Sequence, residues 1–125
     1  MLRADMDGLA MTEGNVTLPY RSVREGFAHM CGHDGHMVAL IGTAVILNSN
    51  EVRACIPSNC GVRLLFQPAE EKGTGAKAMI KEGVLNDVSM IFAAHLDRHY
   101  ATGKMVVTPG VVNASADQFR VTICG

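Results

Sequence analysis

The sequence has little charge and no long apolar run, and each shortage excludes a class of protein. Charged residues make up 18% of the 125 residues, and 11 lysines and arginines against 12 aspartates and glutamates give a formal net charge of −1. A nucleic-acid-binding protein normally carries a basic excess, so we expect no nucleic-acid partner. The longest apolar runs, such as residues 37–41, are far shorter than the roughly 20 residues that span a bilayer, so we expect no membrane association.

Paired cysteine motifs and a secretory signal are also missing. None of the four cysteines forms a Cys-x-x-Cys pair, and a chain of this length does not need a disulfide framework to fold. Cys55 and Cys60 lie in a polar stretch with a proline, and we interpret both as loop thiols without a role. No basic segment followed by an apolar one begins the sequence, which favours a cytoplasmic protein. In such a reducing compartment, a cysteine close to several histidines is more often a metal ligand than half of a disulfide.

The apolar residues that are present follow a pattern of alternating strands and helices. Hydrophobic residues make up 48% of the chain, enough for the core of one domain. The pattern predicts strands over residues 1–6, 62–66, 90–94, 104–108 and 118–124. It predicts helices over residues 35–47 and 75–81, the first capped by Asp34 and the second ended by Gly83, and loops over residues 12–25 and 48–61. Strands separated by helices indicate an α/β sheet with functional groups at its strand ends.

Histidine, cysteine and glycine are concentrated in residues 29–36, which read His-Met-Cys-Gly-His-Asp-Gly-His. Glycine lets the backbone turn tightly, so side chains that are close in sequence can converge on one point. Cys31 and His33 offer a thiolate and an imidazole two residues apart, a pair that suits zinc or a similar divalent ion. On its own, such a pair is more often a buried thiol beside a hydrogen-bonded histidine.

Two further segments strengthen the metal interpretation because each follows a predicted strand. Glu70 and Glu71 come soon after the strand over residues 62–66, and His95 directly follows the strand over residues 90–94. Adjacent acids are usually a solvated surface pair, and a histidine in this position is usually a core residue. At strand ends, however, one carboxylate can bind a metal while its neighbour accepts a proton from an activated water. A thiolate, two imidazoles and a carboxylate at the ends of successive elements form a credible metal-binding set.

Five segments that run nearly from end to end carry a more specific signal. They are residues 2–9 (LRADMDGL), 29–36 (HMCGHDGH), 63–71 (RLLFQPAEE), 75–80 (GAKAMI) and 114–117 (ASAD). In these segments, and in their order, the sequence resembles the metal-dependent N-acyl-amino-acid amidohydrolases, which include hippurate hydrolases and the hydrolases of auxin–amino-acid conjugates. The resemblance implies a partial three-layer αβα catalytic domain of a di-metal aminoacylase- or carboxypeptidase-like hydrolase.

The resemblance also implies how the chain is divided. Residues 1–117 would be part of the metal-binding catalytic domain, and residues 118–125 the first strand of a lid or dimerisation domain. The chain begins inside a predicted strand and ends directly after one, so we expect a fragment that is truncated at both ends. A homodimer through the missing lid domain is a further expectation.

The resemblance implies a site with two divalent metal ions, zinc or manganese. By motif, the metal ligands would be Cys31, His33, Glu71 and His95. Glu70 would be the general base, and Asp5 would hold a ligand imidazole in place. The implied reaction is metal-assisted hydrolysis of a small-molecule N-acyl amino acid to a carboxylic acid and a free amino acid.

Alternatives to this interpretation remain at the level of sequence. The chain could be a metal-binding fragment that is inactive without the missing segments. A structural protein with a vestigial site is disfavoured because all the site residues occur together. Hydrolysis by a nucleophilic serine or cysteine is disfavoured because Cys31 as nucleophile would leave the paired glutamates unexplained. His29 and His36 are predicted to support the metal loop, and His99 to be a surface residue rather than one that tunes substrate fit.

Overall fold

A parallel sheet forms the centre of the computed structural model, which describes residues 1–115, 117 and 119–124. The elements in chain order are β1 (Leu2–Asp5), α1 (His33–Leu47), α2 (Asn50–Cys55), β2 (Leu64–Gln67), α3 (Gly75–Lys81) and β3 (Phe92–Ala93). The strand order is β2-β1-β3, and β1 pairs in parallel with both neighbours. The predicted α/β class is therefore confirmed.

The middle strand determines where a site can form. In β1, Ala4 and Asp5 are buried, and Asp5 pairs in register with Gln67, the last residue of β2. The chain places β2 beside one edge of β1 and later places β3 beside the other edge of β1. A change of direction of this kind leaves a crevice at the carboxyl ends of the strands, which is where open α/β sheets bind ligands.

Helix α1 begins at His33 rather than at residue 35. Gly32 precedes it with a φ of 84°, a left-handed conformation that glycine adopts without strain, so the chain enters the helix at the next residue. The predicted cap is therefore wrong, because Asp34 lies inside the first turn. Its negative charge there still stabilises the N-terminus of the helix. The helix packs on β1 and β2. Its buried residues are His33, His36 and Leu40.

Helix α3 has the bounds that the sequence predicts, Gly75–Lys81. Gly83 ends it with a φ of 80°, and its N–H donates to the Ile80 carbonyl at 3.0 Å. The Val84 N–H donates to the Met79 carbonyl at 3.2 Å. These two bonds form a Schellman motif, so the predicted stop at Gly83 is confirmed.

The predicted loop over residues 48–61 contains helix α2. Ser49 is its N-cap, and the Ser49 hydroxyl accepts a hydrogen bond from the Val52 N–H at 3.4 Å. Cys55 is therefore the last residue of a helix and not a loop thiol, whereas Cys60 follows a turn. Both thiols are exposed and free.

The later predicted strands are shorter than expected or absent from the described residues. β3 has 2 residues and Phe92 is 60% exposed, so the predicted buried strand over residues 90–94 is wrong in length and in burial. Residues 104–108 and 119–124 form no strand, and neither segment pairs with the described sheet, which consists of β1, β2 and β3. A strand needs such a partner for its backbone hydrogen bonds. Gln118, which the sequence places in the last strand, lies outside the described residues, as do Ala116 and Gly125. No helix in the described part of the chain is long and apolar enough to cross a membrane.

Candidate metal centre

Side chains from four segments meet at the carboxyl end of the sheet. The segments are the end of β1, the two that follow β2 and β3, and the one that begins α1. Three overlapping groups each place their ligand atoms within 4.8 Å of one another: Cys31, His33 and His95; His33, Glu70 and Glu71; and Asp5, His33 and His36. The structure therefore brings together all the residues that the sequence predicts for the site.

The His33 imidazole belongs to all three groups and is 1% exposed. Its Nδ1 lies 2.9 Å from the Asp7 main-chain carbonyl oxygen, which can only accept a hydrogen bond, so Nδ1 carries the proton. The lone pair of the neutral ring is then on Nε2, which is buried without a hydrogen-bond partner in the described part of the chain. Nε2 lies 3.8 Å from Glu70 Oε2 and 3.7 Å from Glu71 Oε1. An unpartnered buried lone pair facing two carboxylates fits a divalent cation between them.

A thiol and a second imidazole belong to the same cluster. Cys31 Sγ is 3.6 Å from His95 Nε2. His95 Nδ1 lies 2.6 Å from the Leu96 carbonyl oxygen and must donate to it, so the lone pair of this ring also faces the cluster. Sulfur, nitrogen and carboxylate oxygen together are a donor set that zinc accepts.

The side chains around Cys31 give the cluster a negative electrostatic environment. Burial, followed by a hydrogen bond to Glu71 and the charges of Glu71, Glu70 and Asp5, raises the pKa of the Cys31 thiol to about 11. Without a metal, the thiol is therefore protonated at neutral pH. A coordinated thiol is deprotonated, because the cation reverses the local field. The negative surroundings of Cys31 disfavour its thiolate when no metal is bound. A bound cation would neutralise that charge, so the site suits a cation.

The loop that carries Glu70 and Glu71 has a constrained backbone. Ala69 has a φ of 49°, in the left-handed region that non-glycine residues rarely adopt. Its carbonyl accepts hydrogen bonds from the N–H groups of Thr74 at 3.3 Å and Gly75 at 3.1 Å. A Cβ on Gly75 would lie 1.6 Å from the Pro68 carbonyl oxygen, so glycine at this position lets α3 pack directly against the loop.

Asp7, which has no predicted role, holds this loop from the other side. Its Oδ2 accepts a hydrogen bond from the Glu71 backbone N–H at 3.2 Å. Its Oδ1 is 3.4 Å from His33 Nδ1 and has no hydrogen-bond partner among the described residues. Burial favours a higher pKa for Asp7, but hydrogen bonds from the backbone of Glu71 and Glu70 outweigh it and lower the pKa. The feature of the sequence that could indicate this role is the second acid of the Asp-Met-Asp segment.

Asp5 holds a histidine, although not one of the predicted ligands. Asp5 is 2% exposed, and its Oδ1 accepts a hydrogen bond from His36 Nδ1 at 2.6 Å. The same oxygen lies 3.7 Å from His33 Nε2, and Arg3 donates to Oδ2 at 2.9 Å. Burial favours a higher pKa for Asp5, but the hydrogen bond from His36 and the charges of Arg3, His33 and His36 hold the pKa below its usual value.

The remaining histidines do not offer a free ligand atom at the cluster. His36 Nε2 accepts a hydrogen bond from the Leu96 N–H at 2.8 Å, so both of its ring nitrogens are engaged. His29 is exposed. His99 is also exposed and lies 2.6 Å from Asp97 Oδ1. The backbone N–H and then the ring of His99 hold the pKa of Asp97 below its usual value.

Comparison with known proteins assigns the chain to a family. Residues 1–123 match the family described as "Peptidase family M20/M25/M40". The N-acetylcysteine deacetylase of Bacillus subtilis is 42% identical over 124 residues, which cover 99% of this chain and 31% of the deacetylase. Thermostable carboxypeptidase 1 of Saccharolobus solfataricus is 40% identical over 126 residues, which cover 99% of this chain and 31% of the carboxypeptidase. IAA-amino acid hydrolase ILR1-like 4 of Arabidopsis thaliana is 41% identical over 124 residues, which cover 99% of this chain and 27% of the hydrolase.

A solved structure agrees with these relatives. The Bacillus subtilis YxeP protein, described as a dinuclear metal binding peptidase from the M20 family, superposes with a TM-score of 0.68 at 43% identity. The match covers 77% of this chain and 25% of that one, and the chain spans less than a third of the curated relatives named above. The predicted fold class and the resemblance are both confirmed, and the chain belongs to peptidase family M20/M25/M40.

Proposed function

We propose that the protein hydrolyses the amide bond of N-acyl amino acids with two divalent metal ions, zinc or manganese. The main support is the buried Nε2 of His33, which has no hydrogen-bond partner among the described residues and faces Glu70 and Glu71. The names of two relatives, an N-acetylcysteine deacetylase and an IAA-amino acid hydrolase, support this class of substrate. The description of a structural neighbour as a dinuclear metal binding peptidase supports the two ions.

The proposed ligands are Cys31, His33, Glu71 and His95. Thiolate and imidazole donors favour zinc, and carboxylates also suit manganese, so the donor set is compatible with either ion. When bound, the ions would polarise the scissile carbonyl and lower the pKa of the attacking water. His33 and His95 each donate through Nδ1 to a main-chain carbonyl, which fixes the ring so that Nε2 faces the site.

Glu70 is the proposed general base. Its side chain is 39% exposed, against 28% for Glu71, so it can reach both solvent and the cluster. Glu70 takes a proton from the attacking water as the new C–O bond forms at the acyl carbon. It then gives this proton to the amine nitrogen as the C–N bond breaks. One amide and one water thus yield one carboxylic acid and one free amino acid.

Substitution of Glu70→Gln tests this role. The amide keeps the size of the side chain but cannot accept the proton, so hydrolysis of an N-acetyl amino acid should fall by about 10²–10⁴-fold while metal content is retained. Glu51→Gln, at an exposed position in α2, is the matched control and should leave both unchanged. Near-normal turnover in the Glu70 variant would refute its role as base.

Metal binding without turnover is the second candidate, favoured by the small share of its relatives that the chain spans. The two candidates differ in one result. A zinc- or manganese-loaded chain that releases no amino acid from N-acetyl substrates, and whose Glu70→Gln variant binds the same amount of metal, would support the second. Measurable release that depends on the metal would support the first.

The domain division and assembly are part of the same proposal. Residues 1–117 would belong to the catalytic domain and residues 118–125 would begin a lid domain through which a homodimer forms. Support comes from the exposure of the described residues 119–124, which do not pair with the described sheet and so lie outside the layer that it forms. The chain by itself should then be a monomer in light scattering, and a stable dimer would contradict this division. The four free cysteines support a reducing compartment such as the cytoplasm.

A further inference from the structure

Of the residues in the candidate metal centre, His95 is the one whose backbone is held least firmly. The strand before it, β3, is short, with exposed residues, and lies at an edge of the described sheet. His95 follows two residues after its end and is itself exposed. Its own Nδ1 bond to the next carbonyl orients the ring relative to its backbone but does not attach that backbone to the rest of the protein. A ligand placed this way needs another anchor to hold a fixed position.

His36 provides such an anchor from helix α1. The Leu96 N–H donates to His36 Nε2 at 2.8 Å, so the bond attaches the residue after His95 to a buried ring. The two imidazoles also touch, with ring centroids 4.5 Å apart at an interplanar angle of 71°. His36 is 6% exposed, so its ring has little freedom to move.

The His36 ring is in turn fixed from behind by a chain of hydrogen bonds. Because the Leu96 N–H can only donate, His36 Nε2 must be the acceptor, and the proton of the neutral ring is on Nδ1. That proton goes to Asp5 Oδ1 at 2.6 Å, and the other oxygen of Asp5 accepts from Arg3 at 2.9 Å. Arg3 also donates to Gln67 Oε1 at 3.0 Å. The chain therefore links the ends of β1 and β2 to the segment after β3.

Packing of Leu96 supports the same attachment independently. The Leu96 Cβ would be 3.5 Å from a Cβ on Gly32, and its Cδ1 would be 2.4 Å from a Cβ on Gly35. The two glycines at the start of α1 thus leave the space that the Leu96 side chain fills. Both the backbone and the side chain of Leu96 lie against the turn that carries His36.

We infer that His36 is a positioning residue, which holds the segment 95–96 so that the His95 imidazole faces Cys31 and the cluster. It acts through His95 and contributes no ligand atom, since both of its ring nitrogens are engaged. The inference deepens the proposed function, because it takes His95 as a metal ligand.

Hydrogen exchange and zinc affinity of the 125-residue chain test the inference in three variants. His36→Phe keeps a buried ring but removes both hydrogen bonds, and His36→Gln keeps an oxygen that can accept from the Leu96 N–H. His29→Gln changes an exposed histidine of the same motif and serves as the control. In His36→Phe, we expect the Leu96 amide to lose protection while the Phe66 amide in β2 keeps it. Zinc affinity, measured by competition with a chelator, should fall by about 10–100-fold.

His36→Gln should recover part of both losses, and His29→Gln should show neither. The inference is overturned if His36→Phe keeps Leu96 protection and zinc affinity. It is also overturned if protection is lost equally across the sheet and His36→Gln recovers nothing, because that pattern means a general structural role.

A double-mutant cycle separates this inference from the proposed function. If His36 acts through His95, then His36→Phe should cost no further zinc affinity once His95→Ala is present. Losses that add in the double variant would contradict the inference. Unchanged zinc affinity in His95→Ala alone would instead contradict the proposed ligand role of His95, and Leu96 exchange would still decide whether His36 holds the segment.

Discussion

The His33 ring shows, at the residue scale, how backbone contacts prepare a side chain for a metal. One ring nitrogen is fixed by the Asp7 carbonyl at 2.9 Å. The other is buried, faces carboxylates, and has no hydrogen-bond partner within the part of the chain that the structure describes. A buried polar atom without a partner normally destabilises a fold, so its presence needs an explanation. A cation between His33 and the two glutamates would supply the missing interaction.

The Cys31 thiol gives the first prediction at this scale. Because burial and the surrounding carboxylates raise the pKa of Cys31 to about 11, little of it is thiolate at pH 8 in the metal-free chain. We expect iodoacetamide to modify the exposed Cys55 and Cys60 first and Cys31 more slowly, as followed by mass spectrometry of peptides. Raising the pH toward 11 should accelerate modification at Cys31. Reaction of Cys31 as fast as the exposed thiols at pH 8 would contradict the cause given for its pKa.

Asp7 gives the second prediction. Asp7→Ala removes the acceptor for the Glu71 N–H and should weaken zinc binding by about 10–100-fold, as expected for a group that orients ligands. Asp7→Asn keeps an oxygen that can accept this bond, so its loss should be smaller. Asp34→Asn, at an exposed position in the first turn of α1, is the matched control and should not change affinity. Equal affinity in Asp7→Ala and the unchanged chain would show that Asp7 does not position the loop.

Single residues were predictable where a motif carries them and unpredictable where a distant partner defines them. Cys31 and His33 lie close together in one motif, and Glu70 and Glu71 follow an apolar strand. The sequence therefore predicts all four as site residues. Asp7 is harder to assign because its partner, the Glu71 N–H, is 64 residues away, and the Asp-Met-Asp segment by itself does not indicate that contact.

Gly75 matters most at the scale of elements, because it joins α3 to the glutamate loop. An added Cβ at Gly75 would meet the Pro68 backbone oxygen at 1.6 Å, and backbone cannot yield as a flexible side chain can. Gly75→Ala should therefore lower the free energy of unfolding by about 1–3 kcal/mol and weaken zinc binding. The measurements are urea denaturation and chelator competition.

Gly42 provides the matched control within a helix. It lies inside α1, and an added Cβ would meet nothing within 4 Å. Gly42→Ala should leave zinc binding unchanged and raise the free energy of unfolding by about 0.5–1 kcal/mol. If both alanine variants behaved alike, the close approach of α3 to the loop would not be what holds the glutamates.

Elements were predictable where their ends have local signals. α3 ends in a Schellman motif at Gly83, and its predicted bounds are confirmed. α2 had a usable signal in the N-cap Ser49, which the polar composition of its surroundings obscured. Strands depend instead on neighbours that are far away in sequence, so the apolar residues 104–108 predicted a strand that has no partner in the described sheet.

The whole molecule has a small core relative to its apolar surface. The buried apolar residues of the described chain are Ala4, Ala28 and Leu40, whereas Val38 and Val45 on α1 are 69% and 70% exposed. A chain with so little buried apolar area has a low intrinsic stability, so ligand binding should have a large effect on it.

This balance predicts stabilisation by metal. A ligand that binds the folded state alone at 100 times its Kd adds about 2.7 kcal/mol to the free energy of unfolding. Thermal unfolding with and without zinc should therefore show a higher Tm with the metal. The increase should vanish in Cys31→Ala, and an equal increase in that variant would place the zinc elsewhere.

Elemental analysis of the purified 125-residue chain, beside its Cys31→Ala and His33→Ala variants, would show whether the proposed ligands hold metal. The proposed ligands all lie within the chain and converge at the carboxyl end of its sheet. We expect close to two divalent ions per chain, with loss of metal in both variants. A chain that binds no divalent metal, or variants that keep the full amount, would contradict this expectation.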